Sequence, residues 1–220
     1  TNSMVLDTNL RNDTRDTSCR DFRKSLYGLK VHYRKLDYLY NPRKGIDLQC
    51  DVSVGSRKLT DGNKVVDDQI ESTETAYRIY TSAQGYIPIG KHFVITPKIQ
   101  FGTPVSSTKY YNEMRKIGGI GAIRGFNPND IAASTFLLYS AEMRYLFGKK
   151  SYANIFFDGG TYEQNLPNHY RKDSPFGFGA GIHLAVKSGV FYLEYALGRQ
   201  LGNPIQLKTG KIHFGVQVEF

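Results

Sequence analysis

The sequence has no tryptophan, two cysteines among 220 residues and no long apolar run. Two cysteines, Cys19 and Cys50, make neither a disulfide framework nor metal-ligand spacing, so we interpret them as free thiols, with a bridge between them as the alternative. No run approaches the roughly 18 apolar residues that a membrane-spanning helix requires. A membrane β-barrel is not excluded, because its strands alternate apolar and polar residues and their mean hydropathy stays low.

The start of the chain lacks an initiator methionine and a basic-then-apolar leader. We therefore interpret the chain as processed, trimmed or partial, and secretion cannot be inferred from this end. Residues 1–24 are polar and charged. They predict a loop, or one weak strand near Met4–Leu10 followed by a loop.

The net charge of +9 does not indicate a nucleic-acid-binding protein, because the basic residues are scattered and form no basic helix or recognition motif. The pattern predicts polar lumen side chains and charged loops instead. The five histidines do not form a metal site: His32, His183 and His213 fall on the polar face of strands. We find no Ser-His-Asp set, phosphate-binding loop or zinc spacing, and therefore expect no enzyme activity, cofactor or metal.

Alternation of apolar and polar residues, the signature of β-strands, recurs from residue 25 to residue 220. It predicts about nine strands, or ten with Met4–Leu10, near residues 29–34, 46–54, 77–84, 93–101, 137–145, 153–158, 178–184, 191–197 and 212–220. Pro97 weakens one of them, because proline cannot donate to a ladder. A long loop is predicted from about Gly102 to Ile131, and a polar loop that reaches Ser174 follows the strand ending in Asp158-Gly159-Gly160.

Short turns alternate with long polar loops, which is the asymmetry of an outer-membrane barrel. A soluble β-sandwich or a lipocalin-like barrel also alternates. However, aromatic residues near strand ends and an apolar face without charges favour lipid. The pattern therefore predicts an all-β transmembrane antiparallel barrel over residues 25–220.

A glycine-rich segment of the long loop carries an arginine, in the order Ile123-Arg124-Gly125-Phe126. Strand parity places Glu142 and Asp158 on the polar face of the next two strands. A guanidinium bridges two carboxylates with directed hydrogen bonds, so we expect Arg124 to pair with both. Gly125 would permit a tight turn and Phe126 would pack on the inner wall; the alternative is a chance tripeptide in a solvated loop. We assign Asp158 and Glu194 to lumen hydrogen bonding and not to acid–base catalysis.

The last predicted strand ends in an aromatic residue. Its spacing is polar-x-Gly-x-x-apolar-x-apolar, with His213, Gly215, Val218 and Phe220 at the marked positions. An exposed strand edge presents unpaired backbone groups that template another strand. The pattern indicates a closing strand and is compatible with strand exchange.

From about Leu26 to Phe220 the chain resembles the carboxy-terminal barrel region of the outer-membrane protein assembly superfamily: BamA-like insertases, TamA-like relatives, two-partner-secretion transporters and bacterial surface antigens. The resemblance lies in Ile123-Arg124-Gly125-Phe126 with Glu142 and Asp158, and in a strand-turn-strand at Leu36–Gly45 that would form a periplasmic turn. It implies a loop held in the lumen, and a terminal β-signal read by assembly machinery. Since family barrels have sixteen strands, usually preceded by POTRA domains, we expect a carboxy-terminal portion of nine or ten strands. The alternative is a complete ten-stranded barrel, or two chains that share one barrel.

The resemblance implies a protein of the bacterial outer membrane of Gram-negative species. We expect an insertion factor for outer-membrane β-barrel proteins, or a protein translocation pore, acting without covalent chemistry through strand exchange and the Arg-Gly-Phe loop. Its partners would be outer-membrane lipid, unfolded outer-membrane or secreted polypeptides, and accessory assembly subunits. The alternatives are a surface-exposed antigen, adhesin or anchor barrel without insertase activity, and a two-partner-secretion transporter.

Overall fold

The computed structural model describes residues 2–3, 22–39, 41–59, 73–105, 110–166, 169–186 and 189–217, and its regular structure is β. The all-β prediction is confirmed. Two single-turn 3-10 helices cover Tyr111–Glu113 and Leu207–Thr209. The strands, in chain order, are β1 (Asn2–Ser3), β2 (Phe22–Leu36), β3 (Gly45–Leu59), β4 (Thr73–Ile89), β5 (Phe93–Val105), β6 (Arg115–Ile117), β7 (Ile131–Ala133), β8 (Thr135–Leu146), β9 (Tyr152–Leu166), β10 (His169–Asp173), β11 (Phe176–Val186), β12 (Gly189–Arg199) and β13 (Lys211–Gln217).

One antiparallel sheet contains most of the strands, in the order β1-β2-β3-β4-β5-β8-β9-β11-β12-β13, with β10 paired to β9. Its nine long strands correspond to the nine predicted from alternation. Among the residues that the structure describes, β13 does not pair with β1 or β2, so the sheet is an unclosed part of a barrel.

The two faces of the sheet have opposite character. Large apolar side chains are exposed along one face of successive strands, for example Leu29 at 71%, Ile99 at 49% and Phe214 at 72%. Charged and polar side chains are buried on the other face, including Asp158 and Glu194. This distribution of apolar and polar side chains is the opposite of that in a soluble protein, and it matches a barrel with a lipid-facing exterior and a polar interior. No helix in the described ranges is long and apolar enough to cross a membrane.

The predicted boundaries differ from the structure in three places. β2 already begins at Phe22, inside the segment interpreted as a loop or weak strand; most of residues 1–24, including Met4–Leu10, lie outside the described residues, so that division stays a prediction. β5 continues through Pro97, although the β4–β5 ladder skips Pro97 because proline has no N–H. β9 runs to Leu166 and pairs with β10, where a polar loop was predicted.

The predicted long loop contains regular structure that the sequence interpretation did not predict. It contains a helical turn and a two-stranded sheet of β6 and β7, with Ile117 opposite Ile131. Its apolar side chains pack on the inner side of β8 and β9. This cluster consists of Ile117, Ile123, Phe126, Ile131, Ala133, Phe136, Leu138 and Tyr162. Burial of these apolar groups folds the loop into the space enclosed by the sheet.

Candidate functional site

The tip of the loop approaches β12 so closely that only glycine fits. Gly125 has a φ of 94°, and a Cβ there would lie 2.7 Å from the carbonyl oxygen of Leu197. The opposing residue, Gly198, would place a Cβ 2.6 Å from the carbonyl oxygen of Gly125. The two glycines let backbone meet backbone, and this contact sets the position of Arg124.

Arg124 binds carboxylates from three strands. Its Nε and Nη2 donate to Asp158 Oδ2 and Oδ1 at 2.7 and 2.8 Å, and its backbone N–H donates to Oδ2 at 3.0 Å. Its Nη1 donates to Glu142 Oε2 at 2.6 Å and to Glu194 Oε1 at 3.3 Å. Since Glu142, Asp158 and Glu194 lie on β8, β9 and β12, one side chain ties the loop tip to a large part of the wall.

Further polar groups hold these carboxylates in place. Ser140 Oγ donates to Asp158 Oδ1 at 2.5 Å, and Arg144 Nε donates to Glu142 Oε1 at 2.7 Å. Asn154 Nδ2 donates to Glu194 Oε1 at 3.0 Å. Carboxylates oriented in this way are preorganised for the incoming guanidinium.

An aromatic ring completes the surroundings of the guanidinium. The Phe156 ring centroid lies 3.5 Å from Arg124 Cζ, within the range of a cation–π contact. His183 stacks on Tyr152, with ring centroids 4.3 Å apart, and its Nε2 lies 3.2 Å from Glu194 Oε1. The anchor is therefore enclosed by aromatic side chains as well as by charges.

The electrostatics of the anchor favour a permanently charged arginine. Burial opposes the charge, but the hydrogen bonds to Asp158 and the nearby carboxylates of Glu142 and Glu194 outweigh it and raise the pKa of Arg124. Removing one partner of such a buried set leaves an uncompensated charge and typically costs about 3–5 kcal/mol. The arrangement holds the loop tip to the wall.

The structure brings Arg124, Glu142 and Asp158 together, and places Phe126 in the apolar cluster beside them. Glu194 is a fourth member that the sequence interpretation did not assign to Arg124. The alternation of the sequence already placed Glu194 on the polar face of its strand. Its proximity to the loop depends on barrel curvature, which parity does not reveal.

A second ion-pair cluster holds the base of the same loop, and the sequence interpretation missed it. Glu113, in the helical turn, accepts from Lys24 Nζ at 2.6 Å and from Arg57 Nη1 at 2.5 Å. Arg57 is fully buried, also pairs with Glu74, and lies 5.5 Å from the centroid of the Tyr110 ring. Lys24 and Arg57 are on β2 and β3, so the base of the loop is tied to the beginning of the sheet.

The predicted closing strand is described as far as Gln217. β13 pairs with β12, with His213 opposite Glu194 and Gly215 opposite Tyr192. His213 is buried. A Cβ at Gly215 would lie 2.5 Å from the Tyr192 hydroxyl oxygen, so the aromatic ring occupies the space above the glycine. Val218 and Phe220 lie outside the described residues, and the terminal motif stays a prediction.

In the described ranges, no three or more His, Cys, Asp or Glu side chains cluster in a way that could hold a metal ion. Cys50 is an exposed free thiol, and Cys19 lies outside the described residues.

Comparison with known proteins identifies a family model that matches this chain. The family model of the Omp85 superfamily domain matches residues 2–220. No curated protein matches the chain. The family match includes the long loop, both of its ion-pair clusters and β13.

Proposed function

Because this chain belongs to the Omp85 superfamily, we propose that it inserts β-barrel proteins into the bacterial outer membrane, in the manner of BamA-like insertases. Omp85 superfamily proteins are outer-membrane proteins of Gram-negative bacteria or organelles, and the family supports a general role in outer-membrane protein assembly or translocation. Family members act on unfolded outer-membrane protein substrates. The narrower role proposed here concerns this chain's own loop and last strand.

The observation that carries the proposal is the anchored loop tip. Arg124 bonds to β8, β9 and β12 while the loop's apolar cluster packs on β8 and β9. A loop fixed at those strands stabilises the arrangement of the sheet close to its last strand. We propose that this holds β12 and β13 in the geometry needed to receive a client.

The proposed mechanism is non-covalent strand exchange at β13. Within the described residues this strand pairs with β12 from Lys211 to Gln217. In the described part of the chain, its other edge has no strand partner. Unpaired backbone N–H and C=O groups of an edge bind an incoming strand of an unfolded polypeptide. Accessory assembly subunits would deliver such clients from the periplasm.

The test removes Arg124 and measures client assembly. In cells depleted of the native protein, Arg124→Ala should fail to restore normal levels of folded outer-membrane proteins, whereas Arg171→Ala, at an exposed position of β10, should restore them. Site-specific crosslinking from β13 should capture unfolded β-barrel clients in the Arg171→Ala protein. Normal client levels with Arg124→Ala, despite a released loop, would contradict the proposed role of the anchor.

The same depletion separates the other functions. Loss of one exported protein alone would indicate a two-partner-secretion transporter. Unchanged outer-membrane and exported proteins would indicate a surface antigen, adhesin or anchor. A broad loss of β-barrel proteins supports the insertase.

A further inference from the structure

The short turns of the sheet meet at one end and form a cavity there. These turns follow β2, β4 and β8, and their described residues are 37–39, 41–44, 90–92 and 147–151. The cavity has a volume of about 590 Å³ and is lined by residues from all three turns. It lies at the end of the barrel opposite to the long loop.

Hydrogen bonds between the turns give the cavity a defined shape. Arg43 Nη2 donates to the carbonyl oxygen of Lys91, and Asn41 Nδ2 donates to the carbonyl oxygen of Lys149 at 3.3 Å. Asn41 is buried, and its Oδ1 accepts from Arg144 Nη1 at 3.4 Å. The first turn is thereby fastened to the other two, and the cavity is more than a gap between independent loops.

The charged groups around the cavity are basic. Arg43, Lys91, His92 and Lys149 line it, and none of the described lining residues is acidic. The carboxylate of Asp37, in the first turn, accepts the backbone N–H groups of Tyr38, Arg43 and Lys44. The charged side chains that line the cavity in the described residues are therefore all cationic, and such a surface attracts an anion.

Aromatic side chains form the remaining walls and face outward. Tyr38, Tyr145 and Phe147 are 59%, 46% and 49% exposed, and Phe93 packs on Tyr145 with ring centroids 5.2 Å apart. Tyr145 and Phe93 continue onto the apolar face of β8 and β5. Such aromatic side chains at the ends of spanning strands lie at the level of lipid headgroups.

We propose that this cavity binds the phosphate-bearing headgroup of an anionic phospholipid, with the acyl chains against the aromatic residues of the apolar face. Cations and apolar surface adjoin there, which suits a ligand that is anionic at one end and apolar at the other. The proposal requires only that the strands span a membrane, and it does not depend on the insertase role.

The test uses lysines whose side chains make none of the hydrogen bonds between the turns described above. Lys91 and Lys149 accept hydrogen bonds through their backbone carbonyls, so Lys91→Gln with Lys149→Gln removes two charges without removing those bonds. A matched control is Lys172→Gln with Lys208→Gln, which removes two charges at the opposite end. Native mass spectrometry in detergent then measures the retention of phosphatidylglycerol against phosphatidylcholine.

We expect the unmodified protein and the control variant to retain phosphatidylglycerol in preference to phosphatidylcholine. Each lost cation should weaken that preference roughly fivefold, so the cavity variant should bind both lipids nearly alike. Equal losses in both double variants would contradict a local site. Displacement of the lipid by inorganic phosphate alone would indicate a free-phosphate site, and displacement by an acidic peptide would indicate a protein partner; either result overturns the proposal. Client assembly, measured in parallel, reports on the insertase role separately.

Discussion

The two anchors of the long loop have opposite polarity. At the tip, the loop supplies the cation and the wall supplies the anions: Arg124 meets Asp158, Glu142 and Glu194. At the base, the loop supplies the anion and the wall supplies the cations: Glu113 meets Lys24 and Arg57. Exchanging the two ends would bring like charges together, so the polarity fixes which end of the loop binds which wall.

The anchors also differ in the strands that they join. The tip is tied to β8, β9 and β12, and the base to β2 and β3. Between them, the loop connects the early and late strands of the sheet across its interior. The loop therefore braces the sheet across its interior.

The largest expected effect is at the tip. Arg124→Ala leaves three buried carboxylates without their shared cation and should cost about 3–5 kcal/mol of loop docking. Hydrogen exchange of residues 118–126 in detergent should accelerate strongly, while exchange of β2 and β3 should not change. Arg171→Ala is the control, and unchanged exchange at the tip would contradict an electrostatic lock.

At the tip, the loss of stability on substituting each carboxylate should follow the number and length of its hydrogen bonds to Arg124. Asp158→Asn weakens two guanidinium bonds and one backbone bond, and should cost about 3 kcal/mol. Glu194→Gln affects one contact of 3.3 Å to Arg124 and should cost about 1 kcal/mol. Thermal unfolding with exchange at residues 122–126 measures the order, and a reversed order would show that Glu194 is the main partner.

At the base, Glu113→Gln should have a smaller effect of about 1.5–3 kcal/mol. The amide still accepts hydrogen bonds, and Arg57 keeps its pairing with Glu74. Faster exchange is expected at residues 110–117 and not at residues 122–126.

The double variant Arg124→Ala with Glu113→Gln tests whether the anchors act separately. Since no described contact is shared between them, their effects should add within about 0.5 kcal/mol. A larger coupling would mean that the loop docks as a single unit, and the comparison of two anchors would fail.

The smallest effect concerns a carboxylate outside the loop. Burial tends to raise the pKa of Asp37, but backbone N–H bonds from Lys44, Arg43 and Tyr38 outweigh it and lower the pKa below the ordinary value of 3.8. The contribution of Asp37 to the turn is therefore complete above that ordinary value and is lost as the pH falls through the lower, folded-state pKa. The guanidinium of Arg124 stays charged throughout.

Amide NMR shifts of residues 38, 43 and 44, followed from pH 6 to pH 2 in detergent, should report this titration. Asp37→Asn should abolish it at those amides. A titration centred above the ordinary aspartate pKa would contradict the hydrogen-bond argument.

The sequence predicted the parts of the molecule that depend on local periodicity. Alternation located the nine long strands, and parity placed Glu142 and Asp158 on the same face as the loop that carries Arg124. Glu113 gave no such signal, because it lies in a loop where no period defines a face. The β6–β7 hairpin was missed for a similar reason: its strands have three residues each, and packing of Ile117 and Ile131 in the apolar cluster stabilises them.

By itself, the sequence determined which side chains face lipid and which face the interior, because a strand's period of two depends only on the chain. It also placed a glycine directly after the arginine of the long loop, in Arg124-Gly125. Only the tertiary structure decided that Glu194 joins Arg124, that Glu113 reaches Lys24 and Arg57, and that three turns enclose a basic cavity. Those contacts join residues far apart in the chain, and they depend on how the sheet curves and where the loop folds inside it.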